Sequence, residues 1–176
     1  LNDYFSRMVE IVTRHGGSID KFIGDGMLAV FGAPLALPDH AARAVQCALD
    51  MQACMESFNK ELLASNREPV QIGIAINTGV AVAGTIGCKE RMEYTVVGDT
   101  VNVAARLESL NLRLHTEMLV TESTYAATQK LFNFKGHGLV TVRGHEAPVG
   151  VYELLGAKRG ARLDTPLPAR RMLTPV

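Results

Sequence analysis

The tripeptide Gly24-Asp25-Gly26 places a tight turn near the start of the chain. It separates two short runs, residues 18–23 and 27–31, that are rich in branched and aromatic side chains. Gly and Asp tolerate the positive φ angles that tight hairpin turns require. The sequence therefore predicts a β-hairpin at this point, and any fold of the chain has to contain it.

The remaining periodicities predict helices and further hairpins in an irregular order. Helices are predicted at residues 1–15, 39–65, 99–110 and 122–129, and strands at 70–77, 80–86, 94–97, 118–121, 138–143 and 149–155. Regular βαβ spacing is absent, so we expect an α+β sandwich with an antiparallel-rich sheet and not a Rossmann fold. Beyond Gly156 the sequence is rich in Arg, Pro and Ala without periodicity, which predicts a domain at 1–156 and a linker or disordered tail at 157–176.

Composition narrows the function classes. The 176 residues are 47% hydrophobic, enough for one domain with a core, and 18 basic residues balance 18 acidic ones. A chain of zero net charge is not built to coat nucleic acid or anionic lipid, so no nucleic-acid partner is expected. The three cysteines lack metal or redox spacing, which indicates reduced thiols in the cytoplasm. No apolar run approaches the roughly 20 residues of a membrane helix.

The hairpin segment carries the first candidate chemistry. Lys21 lies on the first strand, and Asp25 stands on a turn held by flanking glycines. A carboxylate fixed in this way suits a divalent cation that already carries phosphate oxygens. The alternative is that Asp25 is only a turn residue and Lys21 a solvated strand charge.

The segment from Arg91 to Arg106 carries the second. Asn102 and Arg106 are four residues apart on a predicted helix and therefore share one face. An amide beside a guanidinium can hold a sugar and a phosphate. The alternative is an ordinary amphipathic helix with an exposed polar face.

Together, DKFIGDGMLAVFGAP and MEYTVVGDTVNVAARLES resemble the catalytic domain of the class III adenylyl and guanylyl cyclases. The similarity runs from residue 1 to about residue 155 and includes TGVAVAGTIG and VRGHEAPVGVYEL. It implies a ferredoxin-like βαββαβ-type α+β sandwich that works as a homodimer, with active sites across the interface. It also implies ATP as the substrate and Mg²⁺ or Mn²⁺ as the cofactor, two ions per site.

The resemblance implies roles for individual residues on the metal and phosphate side of the site. Asp25 matches the second of two metal-binding aspartates. Asn102 and Arg106 match the catalytic pair that orients the ribose and stabilises the pentavalent phosphorus. Arg143 falls where the family holds the terminal phosphates. In this reaction no nucleophilic side chain is required, because the ribose hydroxyl itself attacks.

The same resemblance assigns the purine to Lys21 and Thr95. The Lys21 ammonium only donates, so it suits adenine N1, an acceptor, and opposes the protonated N1 of guanine. The Thr95 hydroxyl can accept from the adenine 6-amino group, but it can also turn and donate to a guanine oxygen. Many members carry Asp where this chain has Thr95, and Thr is typical of a mainly bacterial subgroup of adenylyl cyclases.

The family's first metal aspartate lies on a strand before the segment that begins here at Leu1. We therefore expect the first strand to be missing from this chain, the chain alone to be inactive, and regulatory domains to lie upstream in a longer protein. Three alternatives stay open. They are a guanylyl cyclase, a degenerate cyclase-like domain for regulation or dimerisation, and an interaction module without a ligand.

Overall fold

The computed structural model describes residues 1–141, 147–161 and 163. Helices in this part of the chain are α1 (Asn2–Arg14), α2 (His40–Ala64), α3 (Asp99–Glu108), α4 (Leu110–Leu114) and α5 (Glu122–Thr128). Strands are β1 (Ser18–Ile23), β2 (Gly26–Val30), β3 (Ile74–Ile76), β4 (Val82–Cys88), β5 (Arg91–Val97), β6 (Met118–Thr121), β7 (Phe132–Val140) and β8 (Val149–Ala157). None of the described helices is both long and apolar enough to cross a bilayer.

The strands form a four-stranded sheet and two separate hairpins. The sheet has the order β3-β6-β8-β7, in which β3 runs parallel to β6 and the other neighbours are antiparallel. The hairpins are β1–β2 and β4–β5. The predicted α+β class with antiparallel-rich sheets is therefore confirmed.

The long helix α2 organises the core because it buries side chains on two sides. One cluster joins α2 to α1 and consists of Met8, Ile11, Val12, Cys47, Met51, Met55, Phe58 and Leu62. A second cluster joins α2 to the four-stranded sheet and consists of Ala42, Val45, Ala48, Val120, Phe132 and Leu154. Burial of apolar area at about 25 cal/mol per Å² makes these contacts the main source of stability.

A third cluster packs α3 and α4 against the face of the sheet opposite to the one that α2 covers. It consists of Leu107, Leu110, Leu119 and Val151. Leu107, Leu119 and Val151 are each 0% exposed. Since α3 carries two of the candidate site residues, this cluster sets their position relative to the sheet.

The strands predicted at 70–77 and 80–86 do not pair with each other. Only Ile74–Ile76 form β3, which lies beside β6, whereas β4 pairs with β5. Side-chain hydrogen bonds explain the separation, because they tie the connecting residues to helices and not to a turn. The amide of Asn77 donates to the Thr100 carbonyl over 2.9 Å, and the Thr78 hydroxyl shares a 2.9 Å hydrogen bond with that of Thr124.

The final hairpin is longer than predicted. Strand β7 begins at Phe132 and β8 ends at Ala157. Phe132 and Leu154 are buried in the second cluster, and this burial holds the added residues of the hairpin against the core. Arg143 lies outside the described residues, and so does most of the predicted tail at 157–176. The boundary between domain and tail stays a prediction.

Candidate active site

Asp25 stands at the tip of the β1–β2 hairpin. The strands pair up to Ile23 and Gly26, so that Gly24 and Asp25 form the turn. Gly24 has a φ of +62°, a left-handed conformation that glycine adopts without steric cost. The Asp25 carboxylate is exposed and makes no hydrogen bond or ion pair within the described part of the chain. It is therefore open to an external ligand.

Tyr4 of α1 lies close enough to sense the charge of this turn. Burial raises the pKa of the Tyr4 phenol, and the negative charge of Asp25 raises it further. The phenol consequently stays protonated at neutral pH and adds no second negative charge beside the carboxylate.

Lys21 and Thr95 lie on different hairpins and are joined by Asp20. The Lys21 ammonium is 3.3 Å from Asp20 Oδ2, and the Thr95 hydroxyl donates a hydrogen bond to the same oxygen over 3.0 Å. The backbone N–H of Val96 donates to Asp20 Oδ1 over 3.1 Å. The Asp20 side chain is 3% exposed and the Lys21 side chain 44% exposed, so the carboxylate is enclosed while the ammonium reaches solvent.

A β-bulge in β1 explains how Asp20 and Lys21 share this contact. Ile19 pairs with Ala29 and Lys21 with Leu28, which leaves Asp20 as the extra residue of its strand. Successive side chains of a regular strand point to opposite faces, whereas a bulge breaks the alternation and redirects a side chain. The bulge thus allows the Asp20 carboxylate to reach β5 while it also contacts the neighbouring Lys21 ammonium.

Gly98 joins β5 to α3, so that Thr95 near the end of the strand is followed closely by Asn102 and Arg106 on the helix. Its φ of +145° lies in the region that disfavours a side chain, and it occupies the N-cap of α3. The N-cap is therefore Gly98, and neither Asp99 nor Thr100 takes that position. The Thr100 hydroxyl instead donates to the Val80 carbonyl over 2.6 Å, which ties the start of α3 to the β4 side.

Asn102 and Arg106 lie one turn apart on α3, as the sequence predicted. Asn102 is exposed, whereas Arg106 is half-buried. Arg106 Nη1 is fully buried and has no hydrogen-bond partner among the described residues. An unpaired guanidinium N–H of this kind is costly in a finished protein interior, so it marks a place where an anionic ligand would supply the missing acceptor.

Asp25 is the carboxylate that the sequence predicted as a ligand for a divalent cation. No group of three or more His, Cys, Asp or Glu side chains able to hold a metal ion occurs among the residues that the structure describes. Magnesium in nucleotide-processing enzymes is commonly held by one or two carboxylates together with phosphate oxygens and water. An exposed carboxylate on a fixed turn fits that mode of binding and does not fit an all-protein cage.

The sequence analysis missed Asp20. The Asp20 carboxylate reaches β5 because a bulge interrupts the regular alternation of β1 at this residue. An acidic residue directly before a predicted site lysine was the available signal. Arg143 lies outside the described residues, so its contact with the terminal phosphates stays a prediction.

The two hairpins, together with Val80 just before β4, also expose apolar side chains around the candidate site. They are Phe22, Ile23, Val80, Val82, Ile86, Met92, Tyr94 and Val97. We call this set the hairpin surface. Val80 is 94% exposed, and Phe22 and Ile23 are each more than half exposed.

A family model and sequence relatives both relate this chain to nucleotide cyclases. A family model described as "Adenylate and Guanylate cyclase catalytic domain" matches residues 1–156. Adenylate cyclase 1 of Rhizobium meliloti (strain 1021) is 37% identical over 159 residues, which cover 90% of this chain and 24% of that protein. This chain thus spans about a quarter of the length of the first curated relatives it matches.

Solved structures agree with the sequence comparisons. The guanylyl cyclase Cya2 superposes with a TM-score of 0.83 at 36% identity, covering 93% of this chain and 82% of that one. The adenylyl cyclase CyaB from P. aeruginosa superposes with a TM-score of 0.80 at 30% identity, covering 90% of this chain and 81% of that one. On the family match over residues 1–156 and these relationships, the chain belongs to the class III adenylate and guanylate cyclase catalytic domains.

Proposed function

We propose that this chain is the catalytic domain of an adenylate cyclase, which converts ATP into 3′,5′-cyclic AMP and pyrophosphate. The observation that carries this proposal is the joining of Lys21 and Thr95 by one enclosed carboxylate, Asp20. Overall similarity does not separate the two nucleotides, since relatives at 36–37% identity include an adenylate cyclase and a guanylyl cyclase. The choice of base therefore rests on the side chains that would meet the purine edge.

The purine edge favours adenine because Lys21 can only donate. Adenine N1 accepts a hydrogen bond, whereas guanine N1 carries a proton and would face the ammonium. In an enclosed site, a mispaired polar group costs about 1–3 kcal/mol. A donor at this position therefore supports ATP as the substrate.

In the proposed reaction the ribose 3′-oxygen attacks the α-phosphorus of ATP. The bond from that phosphorus to the β-phosphate oxygen breaks, pyrophosphate leaves, and the hydroxyl proton passes to solvent. Arg106 meets the charge that develops on the α-phosphoryl oxygens, and Asn102 orients the ribose one helical turn away. The unpaired Nη1 of Arg106 supports this role, because an arriving phosphoryl oxygen would complete its hydrogen bonding. Arg143 is proposed to hold the terminal phosphates.

Catalytic domains of this family are generally metal-dependent. We assign Asp25 as a carboxylate ligand of Mg²⁺ or Mn²⁺, with the rest of the coordination supplied by phosphate oxygens, water and a further carboxylate outside the described residues. When bound, such cations lower the pKa of the attacking hydroxyl and neutralise charge on the leaving pyrophosphate.

The active unit is proposed to be a homodimer in which Asp25 of one copy meets Asn102 and Arg106 of the other. The exposed apolar side chains of the hairpin surface support a second copy as the occupant, because all of them except Val80 lie on the same hairpins as Asp25 and Thr95. Covering them would remove apolar area from water at about 25 cal/mol per Å².

The relatives are about four times as long as this chain, and regulatory segments are proposed to lie outside it. A cytoplasmic location is supported by the thiols, because all three cysteines are free. Burial raises the pKa of the Cys47 thiol to about 12, so that it stays protonated and unreactive.

A guanylyl cyclase is the second candidate, favoured by the similarity to Cya2. The test of the proposed function uses the full-length protein that carries this chain, supplied with ATP and Mg²⁺ or Mn²⁺. Cyclic AMP and pyrophosphate should form in equal amounts, and Arg106→Ala should abolish most of both. A protein that binds ATP but forms neither product would instead be the degenerate regulatory domain.

A further inference from the structure

We propose that Asp20 is a specificity-determining positioning residue, which fixes the Thr95 hydroxyl as a hydrogen-bond acceptor toward the base and thereby selects adenine. This inference rests on the proposed function, since it concerns the same purine edge. It resolves which way the Thr95 hydroxyl points, because a free hydroxyl could either accept from adenine or donate to guanine.

The contacts of Asp20 determine whether the Thr95 hydroxyl donates or accepts a hydrogen bond toward the base. The backbone N–H of Val96 and the ammonium of Lys21 are donors only, and they face Asp20 Oδ1 and Oδ2 at 3.1 and 3.3 Å. Asp20 is therefore the acceptor in both contacts. The Thr95 hydroxyl is 3.0 Å from Oδ2 and has a single proton, which it donates to that oxygen. Its own oxygen can then only accept.

An acceptor at this position distinguishes the two purines. The 6-position of adenine is an amino group, which donates, whereas that of guanine is a carbonyl oxygen, which accepts. Guanine would therefore place two acceptors opposite each other. Thr95 is 8% exposed and the Asp20 side chain 3% exposed, so that water has little room to relieve the mismatch.

The bulge in β1 is what gives Asp20 this position. Asp20 has no partner in the pairing of β1 with β2, and its carboxylate reaches across to Thr95 and Val96 of β5. A regular strand would have turned it to the other face. Lys21 and Thr95 are thus held by the Asp20 carboxylate. Loss of that carboxylate should alter the positions of both side chains that are proposed to contact the purine.

The decisive variant is Asp20→Asn, which keeps the shape of the side chain. The amide oxygen can still accept from Val96 N–H, while the amide nitrogen faces Thr95 and donates to its hydroxyl oxygen. The Thr95 proton is then free to turn toward the base and to pair with a guanine carbonyl. We expect the ratio of kcat/KM for ATP to that for GTP to fall at least about tenfold.

Two further variants identify the route of the effect. Thr95→Val removes the hydroxyl, so Asp20→Asn added to it should change the ratio much less than it does in the unmutated protein. Asp50→Asn makes the same chemical change in a hydrogen-bonded carboxylate of α2, away from the purine edge, and should leave the ratio unchanged. A merely structural role for Asp20 would lower the use of both nucleotides equally.

The measurement is the initial rate with each nucleotide in the full-length protein, together with its melting temperature. An Asp20→Asn protein that prefers ATP as strongly as the unmutated one overturns the inference and leaves the proposed function intact. Preference of the unmutated protein for GTP overturns the proposed function itself. If Asp20→Asn does not fold, Thr95→Val decides alone. It should weaken the use of ATP and spare that of GTP, and equal losses contradict a fixed acceptor.

Discussion

Arg106 follows Asn102 by one turn of α3, so the guanidinium and the amide lie on the same side of one helix. The helix begins at Gly98 directly after β5, which carries Thr95. Its inner side is anchored by Leu107, which is fully buried. One continuous segment therefore presents the groups proposed for the base, the ribose and the phosphate, and its rigidity determines their spacing.

Replacing Arg106 by Ala should lower kcat far more than it raises KM. The guanidinium is proposed to meet charge that appears only as the phosphorus becomes pentavalent. Loss of such a contact is worth about 3–4 kcal/mol, or some hundreds-fold in rate. Steady-state kinetics of the full-length protein measure this, with Arg113→Ala on α4 as the control, because Arg113 is exposed. A rise in KM alone would mean that Arg106 only binds the ground state.

Mixing two inactive variants should restore activity if the site is shared between copies. Asp25→Ala removes the proposed metal ligand, and Arg106→Ala removes the transition-state contact. A heterodimer of the two contains one intact site, so activity should return when both are mixed, whereas neither variant is active alone. Co-purification through two different tags verifies that heterodimers form. If such heterodimers stay inactive, each site is built within a single copy.

Truncating Leu107 should weaken the attachment of α3 to the sheet. Leu107 is 0% exposed and packs with Leu119 and Val151, so Leu107→Ala should cost about 2–5 kcal/mol. Leu112→Ala is the matched control, since Leu112 is 84% exposed and should cost less than about 0.5 kcal/mol. Native-state hydrogen exchange of the α3 and β6 amides measures both. Equal protection in the two variants would show that α3 is held by other contacts.

The stabilising effect of Asp50 should disappear in acid. Burial alone would raise the pKa of Asp50, but hydrogen bonds from His15 and Gln46 outweigh it and hold this pKa below its usual value. A carboxyl with a lowered folded pKa stabilises the protein above its unfolded pKa, about 3.9, and loses that effect as the pH falls through the folded value. Because Asp50 is about one-third exposed, solvent screens this effect and keeps it small.

Thermal unfolding of the unmutated protein and Asp50→Asn between pH 7 and pH 3 tests this. The difference in melting temperature should shrink as the pH falls below about 4. A difference that grows on acidification would mean that the neutral form of Asp50 is the stabilising one.

Local signals in the sequence predicted most helices, strands and turns, because the conformation of such segments depends mainly on residues close by in the chain. The turn at Gly24 and Asp25 and the strand Met118–Thr121 lie where the sequence indicated. The partner of residues 80–86 could not be predicted, since hydrogen bonds of Asn77 and Thr78 to distant helices decide which sheet each strand joins.

The residues of the candidate site could be predicted from the sequence, but the hydrogen bonds and ion pairs between them could not. Lys21, Thr95, Asn102 and Arg106 stand on the elements that the sequence assigned to them. The role of Asp20 depends on a bulge, and a bulge adds one residue to a strand without leaving a periodic mark. The alternation of residues in the sequence therefore could not show that Asp20 reaches Thr95.

Reversing the charge of Lys21 should change the choice of nucleotide. A carboxylate at position 21 accepts from the protonated N1 of guanine and opposes N1 of adenine, so Lys21→Glu should shift use from ATP toward GTP. Each mispaired group is worth about 1–3 kcal/mol. Lys60→Glu on the exposed side of α2 makes the same charge change and should leave the choice unaltered.

The assignment as an adenylate cyclase is tested most directly by competition between the two nucleotides. The unmutated full-length protein is given equal concentrations of ATP and GTP with Mg²⁺ or Mn²⁺, and cyclic AMP and cyclic GMP are quantified in the same sample. A donor at Lys21 and an acceptor at Thr95 predict cyclic AMP in at least about tenfold excess. Equal yields of the two products, or an excess of cyclic GMP, would contradict it.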